Sequence, residues 1–175
     1  MFRLASLIAG IGLLTFSFTS CSSDYDATPD VAGKDTMKNT LRGEFTAVID
    51  GMPYTAQNKT YQDQTIEETR SLTIVGSHFA AATKGKDGQV ITLNIHNYTG
   101  PNSYVIDWST NGVYTHIVEG EPTNYISKSG DSLSYIIITN DADKIEGSFQ
   151  FNVAPNGSGN ADNHVIANGS FSIPR

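Results

Sequence analysis

Apolar and polar side chains alternate through most of the chain beyond residue 43, with the period of two that a half-buried strand requires. Phe45, Ala47 and Ile49 share one face, with Thr46 opposite. Asp50-Gly51 then supplies a hairpin turn, and 52–56 starts a return strand. A second long run covers 72–83; its phase shifts between Ile74 and Val75, beside Gly76, and a bulge is expected there. Lys86-Asp87-Gly88 is the next turn. Within 90–96, Ile91, Leu93 and Ile95 face inward while Thr92, Asn94 and His96 face outward. Tyr98-Thr99-Gly100-Pro101 breaks that strand. Short strands are expected at 103–106, 113–118 and 124–128. The segment 133–139, apolar on both faces over 135–138, reads as a central strand. Then 145–153 places Phe149, Phe151 and Val153 inward, and 165–173 does the same for Phe171 and Ile173. No segment has a convincing helical period, although 61–70 (YQDQTIEETR) is expected as one helical turn or part of a loop. About ten short strands joined by hairpin turns predict an all-β domain, an antiparallel β-sandwich or barrel.

One local pattern recurs as Gly43-Glu44-Phe45, Gly147-Ser148-Phe149 and Gly169-Ser170-Phe171. Positions two apart in a strand share a face, so each glycine leaves a gap beside its phenylalanine that a neighbouring aromatic could cover.

The first residues follow a different pattern. Arg3 precedes an uncharged run over 4–18 (LASLIAGIGLLTFSF), and the small pair Thr19-Ser20 precedes Cys21, the only cysteine. A charged start, a short apolar stretch and small residues at the end are the three parts of a secretory signal. The apolar stretch falls short of the ~20 residues that a membrane span needs. Phe18-Thr19-Ser20-Cys21 resembles the lipobox of bacterial lipoproteins, although leucine is usual where Phe18 stands. The resemblance implies that residues 1–20 are cleaved and that Cys21 carries a diacylglyceryl group and an amide-linked chain such as palmitate. Each buried CH₂ contributes about 0.8 kcal/mol, and more than one chain is needed for stable anchoring.

Residues 22–40 (SSDYDATPDVAGKDTMKNT) are polar, with scattered apolar side chains, and cannot bury enough surface to offset their ordering entropy. With Cys21 they are expected to form a flexible stalk over 21–40, ahead of a single all-β domain over 41–175. Asp24 and Asp26 resemble the short acidic export signal of surface-exposed Bacteroidota lipoproteins. That resemblance implies an outer-membrane, lipid-anchored protein at the cell surface rather than on the periplasmic face. Asp35-Thr36-Met37 and Asp131-Ser132-Leu133 resemble the motif at which Bacteroidota attach O-glycans, which implies Thr36 and Ser132 as acceptors. The layout as a whole is similar to a family of small Bacteroidota lipoproteins with a lipobox and stalk. The shared segments are an opening GxFxAxxDGxxYxA (43–56), a middle LTIVGS (72–77), and closing GxFxF (147–151) and NGSF (168–171) strands. Those motifs are structural, and the resemblance brings no activity with it.

Charge narrows the partners. The chain has a formal net charge of −7, and loss of Arg3 with the signal enlarges the acidic excess. Nucleic acid, which wants clustered Lys and Arg, is a poor fit, and so is adsorption to anionic lipid.

Motifs for chemistry are sparse. His78, His96, His116 and His164 sit on four separate segments without HxH, HxxxH or HExxH spacing, so neither a metal nor another cofactor is expected, and each reads as a surface histidine. Asn140-Asp141-Ala142-Asp143 has alternate oxygen ligands but lacks the carboxylates of a calcium loop and reads as a plain turn. Glu67-Glu68 and Glu119 with Glu121 could act as acid and base only across a cleft. No GxSxG appears. Tyr98, Tyr104, Trp108, Tyr114 and Tyr125 cluster in the middle third among Asn and Ser, and are the candidate ligand-contact aromatics. The expectation is a non-catalytic binding or envelope-accessory module with a glycan or protein partner. The alternative is a lipocalin-like carrier of a lipid or small ligand inside a closed barrel.

Overall fold

The computed structural model describes residues 38–40, 43–156 and 162–175. Cys21, Thr36, the signal and most of the expected stalk lie outside them. The described residues are all-β. After β1 (Lys38–Thr40) come β2 (Glu44–Ile49), β3 (Met52–Thr55), β4 (Asn58–Ile66), β5 (Thr69–Phe79) and β6 (Gly88–Ile95). Then follow β7 (Asn102–Val105), β8 (Thr110–Val118), β9 (Glu121–Ser127), β10 (Tyr135–Asn140), β11 (Lys144–Pro155) and β12 (His164–Pro174). One short 3₁₀ turn, Ala81–Thr83, interrupts the series. β1 falls inside the segment expected as stalk, where its backbone pairs with β4.

All the pairings are antiparallel, and the strands form one curled sheet in the order β1-β4-β5-β6-β8-β9-β11-β12-β2-β3. β11 is shared: its last residues pair with β9, and its first half pairs with β10, which in turn carries β7. The curl follows from the passage between β3 and β4. The Ala56 N–H donates to the Phe45 carbonyl in β2, and the next N–H, that of Gln57, donates to the Ser77 carbonyl in β5. Within two residues the chain leaves one neighbour and joins another, which brings two distant parts of the sheet around a single core.

The predicted inward residues fill that core. Phe45, Leu72, Ile74, Ile91, Leu93 and Phe149 are fully buried. Asp50-Gly51 makes the expected tight turn, with φ of +50° and +83°, the left-handed pair that a two-residue hairpin requires.

Glycines make room for the aromatics. In the β11–β12 ladder Gly147 faces Phe171 and Phe149 faces Gly169. A Cβ on Gly169 would lie 2.4 Å from the Phe149 ring; one on Gly147 would lie 2.7 Å from the Phe171 ring and would also strike the Ile137 carbonyl of β10. Gly76 is covered in the same way by Phe45, and Gly112 by Phe151. Gly43 departs from the pattern: its φ is +99°, and a Cβ there would strike the Ser172 carbonyl at 2.3 Å.

Two further expectations fail. There is no bulge near Gly76, because β5 pairs with β4 from Asn58↔Ser77 to Ile66↔Thr69 and with β6 over Leu72–Phe79, both without a register shift. The inward row is Leu72, Ile74, Gly76 and His78; Val75 points out, and Gly76 keeps the phase while giving its space to Phe45. Nor is 61–70 helical or a loop. It is the second half of β4, a tight turn at Glu67-Glu68 (φ +47° and +71°) and the start of β5. Its polar side chains conceal a strand whose order comes from pairing with β5, while Tyr61 supplies the buried contact.

Candidate functional site: one mouth of the curled sheet

The inward phase of three adjacent strands continues past the apolar core into polar residues. On β5 it ends at His78, on β6 it begins at Gln89, and on β8 it ends at His116. These residues are direct register partners, His78↔Gln89↔His116, and form a row across the sheet. The Asp50-Gly51 turn and the first residue of β12, His164, come to the same end. A cleft of about 220 Å³ opens there, with Tyr54 and Tyr114 in its walls and Asp50, Gln89, His116 and His164 on its rim. A second depression of about 190 Å³ adjoins it, reaching His78, Ala80 and Asp87 and sharing Gln89 and His116 with the first.

Each polar group is held. His164 Nδ1 lies 2.5 Å from Asp50 Oδ2, and the Val165 N–H donates to Asp50 Oδ1 at 2.8 Å. The Asp50 N–H donates to the Val165 carbonyl, so the β2–β3 turn is clamped onto β12 by backbone and side chain together. Partial burial pushes the Asp50 carboxyl upward, but the Val165 N–H and the His164 imidazole outweigh it and hold it below the usual carboxylate range. The His164 ring stands edge-on to Tyr125 at 4.5 Å and to Tyr114 at 5.1 Å, and His116 stacks on Tyr114 at 6.2 Å. Gln89 Nε2 donates to the Tyr114 hydroxyl at 3.1 Å. Tyr54 donates to the Gly76 carbonyl at 2.8 Å. Burial raises the phenols of both Tyr54 and Tyr114, more than Gln89 offsets for Tyr114. Both stay protonated at ordinary pH and, at 4 % and 1 % exposure, back the cleft from within the core, while a fixed carboxylate, an amide and imidazoles stand at its rim. Such a set orients a ligand by hydrogen bonds.

The opposite end is closed by charge. Arg70 makes a two-point contact with Asp63 at 2.8 and 2.7 Å, and Arg175 reaches the same carboxylate at 2.9 Å. The Arg70 hydrogen bonds above all, with that of Arg175, hold the Asp63 carboxyl below its ordinary value despite burial. The Arg70 guanidinium lies 4.7 Å over the Tyr98 ring, and Tyr98 donates to Asp141 at 3.0 Å.

The five candidate aromatics do not form one surface. Tyr98 and Tyr104 pair at 5.8 Å at this charged end, and Tyr114 and Tyr125 pair at 5.7 Å toward the mouth; all four are buried. Trp108, in the β7–β8 connection, is 87 % exposed. Of the four, Tyr114 reaches the cleft, as a wall. Ser132 is exposed in a turn that Asp131 caps by accepting from the Leu133 N–H. Glu67-Glu68 and Glu119 occupy tight turns with positive φ. Asn140 to Asp143 is a self-bonded turn, in which the Asn140 side chain accepts from the Ala142 N–H and donates to Asp143. Among the described residues no three His, Cys, Asp or Glu are placed to hold a metal ion. The convergence of His78, His116 and His164 was missed, because no sequence spacing carries it. The usable signal was phase: His78 and His116 each continue an inward row beyond its last apolar member.

Comparison with protein-family models, curated proteins and solved structures returned no match.

Proposed function

We propose that this protein is a lipoprotein anchored through Cys21 whose domain is a non-catalytic binding module, and that it meets its ligand at the mouth of the curled sheet. The observation that carries this reading is the contrast between interior and mouth. The middle of the curl is filled by Phe45, Phe149, Phe151 and Phe171, each at most 2 % exposed. At the mouth the inward rows turn polar and open into a cleft. That packing favours recognition at the surface over enclosed cargo, which a barrel carrier would hold among its inward side chains. The amide, carboxylate and imidazoles of the rim are the few convergent polar groups that give a binding site its orientation.

The address rests on the sequence: the signal-like 1–20, the lone Cys21 and the acidic residues that follow it. The domain faces outward from the outer membrane, where host or dietary glycans and neighbouring envelope proteins are the available partners.

The test immobilises the full-length protein in detergent micelles and passes polysaccharide and solubilised-protein fractions of the envelope over it. Binding that falls at least tenfold in Gln89→Ala and persists in Trp108→Ala supports the mouth. The reverse pattern would transfer the site to the Trp108 end.

A further inference from the structure

The two depressions at the mouth are separated by a shared wall and not by the core. Gln89 and His116 line both; Asp50 and His164 lie on one side of that wall, His78 and Asp87 on the other. Each, at about 190 and 220 Å³, is smaller than the ~300–1,000 Å³ usual for a single ligand pocket, and together they enter that range. A ligand of two small linked units fits such a groove better than one compact molecule.

The chemistry of the groove selects the units. The row His78–Gln89–His116 crosses three strands whose main-chain groups are paired to one another. An extended peptide draws its affinity from a strand edge, but along this row it finds side-chain groups, and the terminal strand β3 lines the cleft partly with Pro53, which has no N–H to pair. Carboxylates stand on both sides, at Asp50 and Asp87, in a chain with a net charge of −7, which disfavours a polyanion. The remaining offer is donors and acceptors of both kinds: the Gln89 amide, three imidazoles and two carboxylates, set beside Tyr54, Tyr114 and the stacked His116 ring. Hydroxyl groups, which donate and accept, satisfy such a mixture without bringing charge.

We propose that these two depressions form one groove with two subsites for a neutral oligosaccharide, with Gln89 and His116 between adjacent sugar units. The proposal rests on the reading of the mouth as the binding end and adds the ligand class.

The experiment is calorimetric titration of the full-length protein, in a polyoxyethylene detergent free of sugar, with neutral glucose, xylose, mannose and N-acetylglucosamine series of one to four units. At least one series binds, with affinity rising about tenfold from one unit to two as the second subsite fills. His78→Ala returns the two-unit sugar to one-unit affinity. Gln89→Ala lowers both about tenfold, and His116→Phe, which keeps the stacking on Tyr114, removes the gain from the second unit. An unchanged thermal midpoint in each variant separates these effects from unfolding. Absence of binding in every series, or binding indifferent to Gln89 and His116, overturns the proposal. If an envelope protein fraction is bound instead and Gln89→Ala abolishes that binding, the mouth stands and the sugar class falls.

Discussion

Phe149 occupies the space that a side chain on Gly169 would need. The two are direct partners in the β11–β12 ladder, and a Cβ on Gly169 would meet the ring at 2.4 Å. Two residues along the same ladder Phe171 and Gly147 repeat the arrangement with the roles of the strands exchanged. Gly169→Ala therefore overpacks a fully buried ring and is expected to cost about 1–3 kcal/mol. Phe149→Ala, which leaves a cavity, should cost about 3–5 kcal/mol. Urea midpoints at constant slope measure both; a neutral Gly169→Ala would mean that the ring can move aside.

Asp63 gives the fold an acid-sensitive end. Its carboxyl is held below its ordinary value of 3.8 by Arg70 and Arg175. A carboxyl whose folded value is depressed contributes stability that is fully present above the unfolded value and is lost as pH falls through the folded one. Asp63→Asn should thus lower stability by about 1–3 kcal/mol at pH 7, and the gap from the native protein should close as pH falls below about 4. Urea titrations from pH 2 to 7 test this; a gap independent of pH would assign the effect to shape and not to charge.

Trp108 is 87 % exposed in a connection between strands. Trp108→Ser should change stability by no more than about 0.5 kcal/mol, as surface changes usually do. A larger loss in thermal or urea unfolding would contradict the exposure of the indole.

The inward face was legible wherever alternation was strong, as in β2, β6, β11 and β12, because burial of one face fixes both the period and the phase, whereas the register shifts that β11 and β12 make with their partners left no mark in the pattern. It was illegible over 61–70, where polar side chains conceal a strand ordered by its partner. Gly76 misled for a related reason: a missing side chain looks like a break in phase when it is an inward position lent to Phe45. The site was less legible still. Tyr98, Tyr104, Tyr114 and Tyr125 stood out as aromatics among polar residues, yet all four are buried, and the hydroxyls of Tyr98, Tyr104 and Tyr114 reach partners from within the core. His78, His116 and His164 come together through the curl of the sheet, a long-range relationship that local spacing does not encode.

Cys21→Ser removes the thiol that would carry the lipid. The variant should leave the membrane fraction and lack the mass added by the acyl chains. Protease added to intact cells should degrade the native protein, with lysed cells as control. Protection until lysis would place the domain on the periplasmic side and turn the search for ligands toward envelope partners.

Hydrogen exchange of the full-length protein with and without the envelope polysaccharide fraction tests most directly where ligand contact occurs. Protection gathered at Met52, Gln89, His116 and His164 is the expected result. Protection confined to the exposed Val105, Trp108 and Leu133, or none at the mouth when binding is measurable, would contradict it.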